Sequence, residues 1–312
     1  MLIFDHDAYR AHETPGGHPE NAHRHAGVLA ALRASGFANL QWRESPRADK
    51  SHLMLVHDEA YIDAIYAAAP DERSGGGLVQ LDADTFIGPS SLEAGERAVG
   101  GAVAAVDAIA AGQARRAFVP MRPPGHHAEP ARAMGFGFFN AAAIAAFHAR
   151  AALGVSRVAV VDFDVHHGNG VEAAFWHDAN AFYGSSHEWP QYPGTGRASD
   201  RGADGNIVNA PLPTGAGGRE FRAAWAGTIL PALKDFSPEF IVVCAGFDAH
   251  KADPVGGLAL LEDDFGWVTR EIVAVAKTYG DGRIVSVLEG GYDLEALASS
   301  SAAHVERLMA AR

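Results

Sequence analysis

The sequence predicts an α/β fold: a mostly parallel sheet with helices on both of its faces. Three observations carry that expectation. Four short runs rich in β-branched residues are apolar at consecutive positions, as strands buried on both faces are. Ala-rich segments of helical length lie between them. The unusual polar residues gather where the apolar runs end, and in a parallel sheet ligands bind beyond the carboxyl ends of the strands.

The elements follow in order. Pro89-Ser90-Ser91 opens a helix running to Gly112, since proline suits a first turn and serine an N-cap. "RAFVP" (116–120) is the first clear strand, and "FNAAAIAAFHARAALG" (139–154) the next helix. "RVAVVDFD" (157–164), "FIVVCAGFD" (240–248) and "RIVSVLEGGYD" (283–293) are the other three strands. "GREFRAAWAGTILPAL" (218–233) and "LEDDFGWVTREIVAVAKTYG" (261–280) are helices. Two Gly/Pro-rich stretches, 120–140 and 185–213, break the alternation and read as long functional loops. With no repeat, low-complexity tract or linker, residues 1–312 read as one domain.

Composition bounds the function. A net charge of −13 repels phosphate backbones, so nucleic acid and anionic membranes are not expected partners. The single cysteine, Cys244, lies inside an apolar run and excludes both an intramolecular disulfide and a thiolate metal site. No signal-peptide pattern or bilayer-length apolar stretch is present, so a cytoplasmic protein is expected.

The polar strand ends suggest metal chemistry. In "DFDVHHGNG" (162–170), Asp164 and His166 are two apart and point to one side of an extended segment, with Asp162 one step deeper. "AGFDAHKADP" offers Asp248, next to His250, at another strand end. Three mixed Asp/His ligands with an open position fit a catalytic zinc site, whereas "DFDVHH" alone also fits a polar turn. "RPPGHHAE" sets His126 and His127 after a rigid turn, where paired imidazoles suit acid–base work or simply face solvent. Tyr292 in "LEGGYDL" could donate a hydrogen bond to a developing oxyanion, or merely cover a core edge.

Taken together and in order, "GGHPENAHR", "RPPGHHA", "GFGFFN", "VDFDVHHGNG", "YPGTG", "AGFDAHKADPVGG" and "EGGYD" resemble the zinc-dependent histone deacetylase family. That family includes bacterial deacetylase-like amidohydrolases and acetylpolyamine amidohydrolases, and the resemblance covers nearly the whole chain. It implies a three-layer arginase/deacetylase-type α/β fold. It implies one Zn²⁺ per chain on Asp164, His166 and Asp248, and a structural K⁺ beside Asp162 and Ser185. The catalytic group it implies is His126, His127, Tyr292, Asp162 and Asn169, with His127 as general base and acid, and Asn in the place typical of the class II branch. Phe136, Tyr192, Gly135 and Val255 would form the substrate tunnel, and Arg24 an inner product channel. His167 and Glu172 are expected to be structural neighbours that point away.

The implied activity is hydrolysis of N-acetyl or N-acyl amides of lysine or small amines by metal-activated water, with Tyr292 and the metal sharing the oxyanion. Polyamine-selective relatives carry an acidic residue after the Asp-Pro that follows the third ligand. Here that place holds Val255, which favours an acetylated lysine side chain or a neutral amide chain. Tyr192 stands where the family usually has Phe, and Asp293 where Asn is more usual. A specialised hydrolase of a non-protein metabolite or xenobiotic, an acetylpolyamine amidohydrolase, an arginase-like dimetal enzyme and a non-catalytic acyl binder are the rival readings. A homo-oligomeric form is left open.

Overall fold

The computed structural model of the protein describes residues 1–71 and 76–310. Its strands are β1 (Leu2–Asp5), β2 (Gln41–Glu44), β3 (Val79–Gln80), β4 (Phe86–Ile87), β5 (Arg116–Val119), β6 (Val158–Asp162), β7 (Ala181–Glu188), β8 (Ile207–Leu212), β9 (Phe240–Ala245) and β10 (Ile284–Leu288). β3 and β4 form a small antiparallel pair. The others form one sheet in the order β2-β1-β5-β10-β9-β6-β7-β8, parallel at every pairing.

The consecutive apolar residues of the central strands have two layers to fill. Val158 and Val160 of β6, Val242 and Cys244 of β9, and Val285 and Val287 of β10 enter one layer, covered by helices Ser91–Ala110 and Ala141–Leu153. Ala159, Val161, Ile241, Val243, Ile284 and Leu288 enter the other, covered by helices Ala22–Leu32, Glu262–Tyr279 and Leu294–Ala310. Each fully buried Val, Leu or Ile contributes about 1.5–3 kcal/mol, so side chains at the ends of these strands stand on the most stable part of the molecule. The expected α/β architecture with helices on both faces is present.

Several expectations need correction. The stretch 185–213 is not one loop: β7 runs on to Glu188, and β8 begins at Ile207. The helix expected over 218–233 is Gly218–Ala224, a π-helical turn at Trp225–Ile229, and Leu230–Phe236. The four predicted strands leave the ladder one, two, three and five residues early at their carboxyl ends, where the chain turns toward the site described below. No helix among the described residues is long and apolar enough to cross a membrane.

β9 and β10, last in sequence, are inserted between β5 and β6. This crossover brings together the carboxyl ends of β5, β10, β9 and β6, and with them His126–His127, Tyr292, Asp248 and Asp164–His166.

Candidate active site

Past β6 the backbone makes two tight side-chain-capped turns. Asp162 Oδ1 accepts the N–H of Asp164 (3.0 Å), and Asp164 Oδ1 accepts the N–H of His166 (2.9 Å). Asp248, past β9, is tied to the same segment by the N–H of Val165 (2.8 Å). Ligand-type atoms of Asp164, His166 and Asp248 thereby lie within 4.8 Å of one another, all buried. His166 Nδ1 is 3.2 Å from both Asp164 Oδ1 and Asp248 Oδ2. Asp248 Oδ2 makes no hydrogen bond among the described residues.

This group fits a divalent cation. Burial and the charge of Asp164 push the Asp248 carboxyl up, as expected for two acids crowded together. Burial opposes protonation of His166, yet the neighbouring carboxylates of Asp164 and Asp248 raise its pKa to about 10. Two acids thus gather positive charge on an imidazole nitrogen, the atom that a metal would displace a proton from. Glycine keeps the space open: a Cβ at Gly246 would lie 2.0 Å from Asp164 Oδ2, and one at Gly290 would lie 2.0 Å from Asp248 Oδ2. The set is two carboxylates and one imidazole, the N/O donors of zinc sites that leave a position open.

His126 and His127 lie beside it, their ring centroids 4.0 Å apart. Their environments push them in opposite directions. His126 Nδ1 donates to Asp162 Oδ2 (2.9 Å), whose other partner is the hydroxyl of Tyr183 (3.0 Å). Burial disfavours a charged His126, but Asp164, Asp162 and Glu289 outweigh it and hold its pKa well above the ordinary range. Burial, with His126 and His166 nearby, holds His127 well below. Asn169 then fixes the tautomer of His127. Its Nδ2 donates to Glu129 Oε1 (2.7 Å), so its Oδ1 faces His127 Nδ1 (2.8 Å) as acceptor. The proton sits on Nδ1, and Nε2 is left as a free base.

Tyr292 is partly buried at the cavity wall, and desolvation with the charge of Asp248 holds its phenol protonated far above neutral pH. The guanidinium of Arg24 lies 5.0 Å from its ring centre. Around these groups is a narrow cavity of about 180 Å³, lined among others by His126, His127, Gly135, Phe136, His166, Tyr192, Val255 and Tyr292. Phe136 meets Tyr292 edge-on (centroids 5.9 Å), and Tyr192 meets His127 edge-on (5.1 Å). Gly135, at φ +58°, must lack a side chain, because a Cβ would reach 2.2 Å from the His127 ring. A wider cavity of about 840 Å³ shares Val255 and Tyr292 with it.

Other expected residues take these places. Arg24 is buried and donates to the carbonyls of Glu289 and Gly291, the latter at 2.6 Å, and to Glu20 (3.0 Å). Ser185 is the register partner of Asp162 across β6–β7, and its hydroxyl meets His187 Nδ1 at 2.9 Å. His167 turns away from the cavity to Glu172 (3.0 Å) and Thr195 (2.8 Å). His250 faces Glu262 (3.6 Å) and stays outside the group.

Sequence reasoning missed several contributors. Asp84, Pro124, Gln191 and Gly290 also line the narrow cavity. Glu289 Oε2 accepts the N–H groups of Gly125 (2.7 Å) and His126 (3.1 Å), holding the histidine turn against β10. Thr85 accepts the N–H of Phe136 (3.0 Å). Glu289 sits in the quoted "EGGY", so its position was visible, but nothing in spacing signals an acceptor for backbone groups from another turn.

Comparison with known proteins agrees with this arrangement. The histone deacetylase domain profile matches residues 18–308. A histone deacetylase-like amidohydrolase of Pseudomonas aeruginosa is 38% identical over 301 residues, 95% of this chain and 78% of that protein. A probable deacetylase of Archaeoglobus fulgidus is 35% identical, covering 94% and 81%. The crystal structure of the HDA15 HD domain superposes with a TM-score of 0.92 at 30% identity, over 99% of this chain and 88% of that one. A profile match over nearly the full length, relatives of this identity and a shared sheet leave one assignment: the chain belongs to the histone deacetylase family.

Proposed function

We propose that the protein hydrolyses N-acetyl or N-acyl amides of lysine side chains or small amines, and that residues 1–312 form one catalytic domain. One observation carries the reading: a neutral imidazole, a protonated phenol and a metal-competent acid–histidine group surround one narrow cavity. Asp164, His166 and Asp248 would hold a zinc ion, which when bound supplies Lewis acidity toward the amide carbonyl.

The chain's own residues supply the rest. His127 Nε2 takes a proton from the attacking water and then gives it to the departing amine, so a base with a low pKa and a fixed tautomer suits it. His126, kept cationic by Asp162 and Asp164, contributes positive charge near the forming oxyanion. Tyr292, a wall of the narrow cavity, donates its O–H to that oxygen from a phenol kept protonated. Asn169 and Asp162 hold the two imidazoles. Phe136, Tyr192 and Gly135 admit an unbranched chain between aromatic faces, and Val255 leaves the rim apolar at the place where polyamine-selective relatives are acidic. Arg24 holds the turn that carries Tyr292 and borders the inner route for acetate. Asp162 and Ser185, side by side on β6 and β7, are the residues for a structural potassium ion.

The test is turnover of an acetyl-lysine peptide against acetylputrescine and a panel of small acetamides. The reading expects the acetyl-lysine peptide to be preferred over acetylputrescine. A clear preference for acetylputrescine overturns the substrate assignment, and hydrolysis confined to one small acetamide transfers it to a metabolite.

A further inference from the structure

Two walls of the narrow cavity hang on one carboxylate. Asp253 is buried beyond the third ligand-type residue, and its two oxygens face opposite loops. Oδ1 accepts the N–H groups of Val255 (2.9 Å) and Gly256 (3.3 Å), in the rim loop. Oδ2 accepts those of Tyr292 (2.6 Å) and Asp293 (3.3 Å), in the turn after β10. That turn needs such a tie. It begins with Gly290 and Gly291, the latter at φ +122°, so its backbone has little intrinsic preference for one course. Neither glycine can be replaced to stiffen it, because a Cβ at Gly290 would strike Asp248, and one at Gly291 would lie 2.9 Å from Leu297.

We propose that Asp253 is a positioning residue: through the Tyr292 amide it fixes where the phenol stands over the acid–histidine group, and through the Val255 amide it couples that position to the rim. The inference rests on the deacylase reading of the same site. A residue at the rim can then change turnover as well as binding, because both loops close on the same side chain. Charge strengthens the tie, since a carboxylate accepting several N–H groups binds each more strongly than a neutral acceptor does. Asparagine keeps one carbonyl oxygen and turns its NH₂ toward the other loop's donors, so it preserves one tie and breaks the second.

The experiment compares wild type, D253A, D253N, Y292F and D253A/Y292F. The readouts are kcat, KM, bound metal and residue-resolved amide exchange. D253A is expected to lower kcat on the order of 10²-fold with metal content unchanged, and D253N to lie between it and wild type. Y292F is expected to cost a similar factor in wild type, and less than about threefold more in D253A, because Asp253 acts through Tyr292. Losses that multiply in the double variant overturn the inference, as does a D253A enzyme with wild-type kcat. Amide exchange decides independently of activity: protection at Tyr292 and Val255 should be lost together in D253A, with β9 and β10 unaffected. A Tyr292 amide still protected in D253A refutes the tie. Should wild type hydrolyse no acyl amide, the deacylase reading falls, while the exchange result still decides whether Asp253 holds both loops. If D253A fails to fold, D253N carries the same comparisons.

Discussion

Replacing Gly290 with alanine tests the metal group through geometry alone. The added methyl would lie 2.0 Å from Asp248 Oδ2 and 2.7 Å from Asp164 Oδ2. Carbon and oxygen cannot approach much closer than about 3 Å, so the Asp248 carboxylate must retreat by roughly 1 Å. Metal–ligand distances tolerate only about 0.2 Å. The movement therefore exceeds the tolerance about fivefold, and affinity should fall at least as far as when a supporting residue is lost, about 10–100-fold. That is about 1.4–2.7 kcal/mol of binding. The N–H of Gly290 that donates to Asp164 (2.8 Å) is retained, so the effect isolates the methyl. Competition with a chromophoric chelator measures the affinity. Gly227→Ala, where a methyl meets nothing within 4 Å, is the control. Wild-type metal affinity in G290A, with the fold intact, would refute the placement of an ion between these carboxylates.

Three further outcomes follow from the same structure. Glu20 is buried with Arg122 and Arg24 on its carboxylate, so E20Q should lose about 3–5 kcal/mol of stability in urea titration, and a loss below 1 kcal/mol contradicts the pairing. Buried His304, between Thr269 (2.7 Å) and Ser286 (2.8 Å), has its pKa lowered by burial to about 3, so its contribution is present above the unfolded value and is lost as pH falls from about 6.5 toward 3. Stability should drop by about 2 kcal/mol at pH 5 from this residue, and H304Q should flatten the curve; an unchanged slope in H304Q contradicts it. N169A should lower kcat about 10–100-fold with metal content unchanged, because His127 loses the acceptor that fixes its tautomer; kcat equal to wild type argues against His127 Nε2 as the base.

How far the fold was legible depended on burial. β5, β6, β9 and β10 lie in the middle of the sheet, so their residues are apolar on both faces and stand out as runs. β2 is an edge strand whose "QWRE" is largely exposed, and it carries no such signal. β7 ends in "SSHE", whose polar residues are buried in hydrogen bonds such as Ser185–His187 and Thr214–Glu188, so polarity disguised a strand. β8 contains Pro211, which reads as a loop but is tolerated on the outer strand of the sheet. The site was legible where side chains meet the cavity from strand ends, as Asp164, His166 and Asp248 do. It was hidden where a side chain serves another loop's backbone: the crossover of β9 and β10 creates the neighbours of Glu289 and Asp253, and Thr85 meets Phe136 from a distant loop.

The most direct measurement is metal reconstitution of the stripped protein, with bound zinc and hydrolysis of an acetyl-lysine peptide followed together. Activity should rise linearly and level off at one equivalent per chain, and D248A should show neither tight binding nor turnover. Full activity without metal, a plateau at two equivalents, or undiminished turnover in D248A would contradict the account.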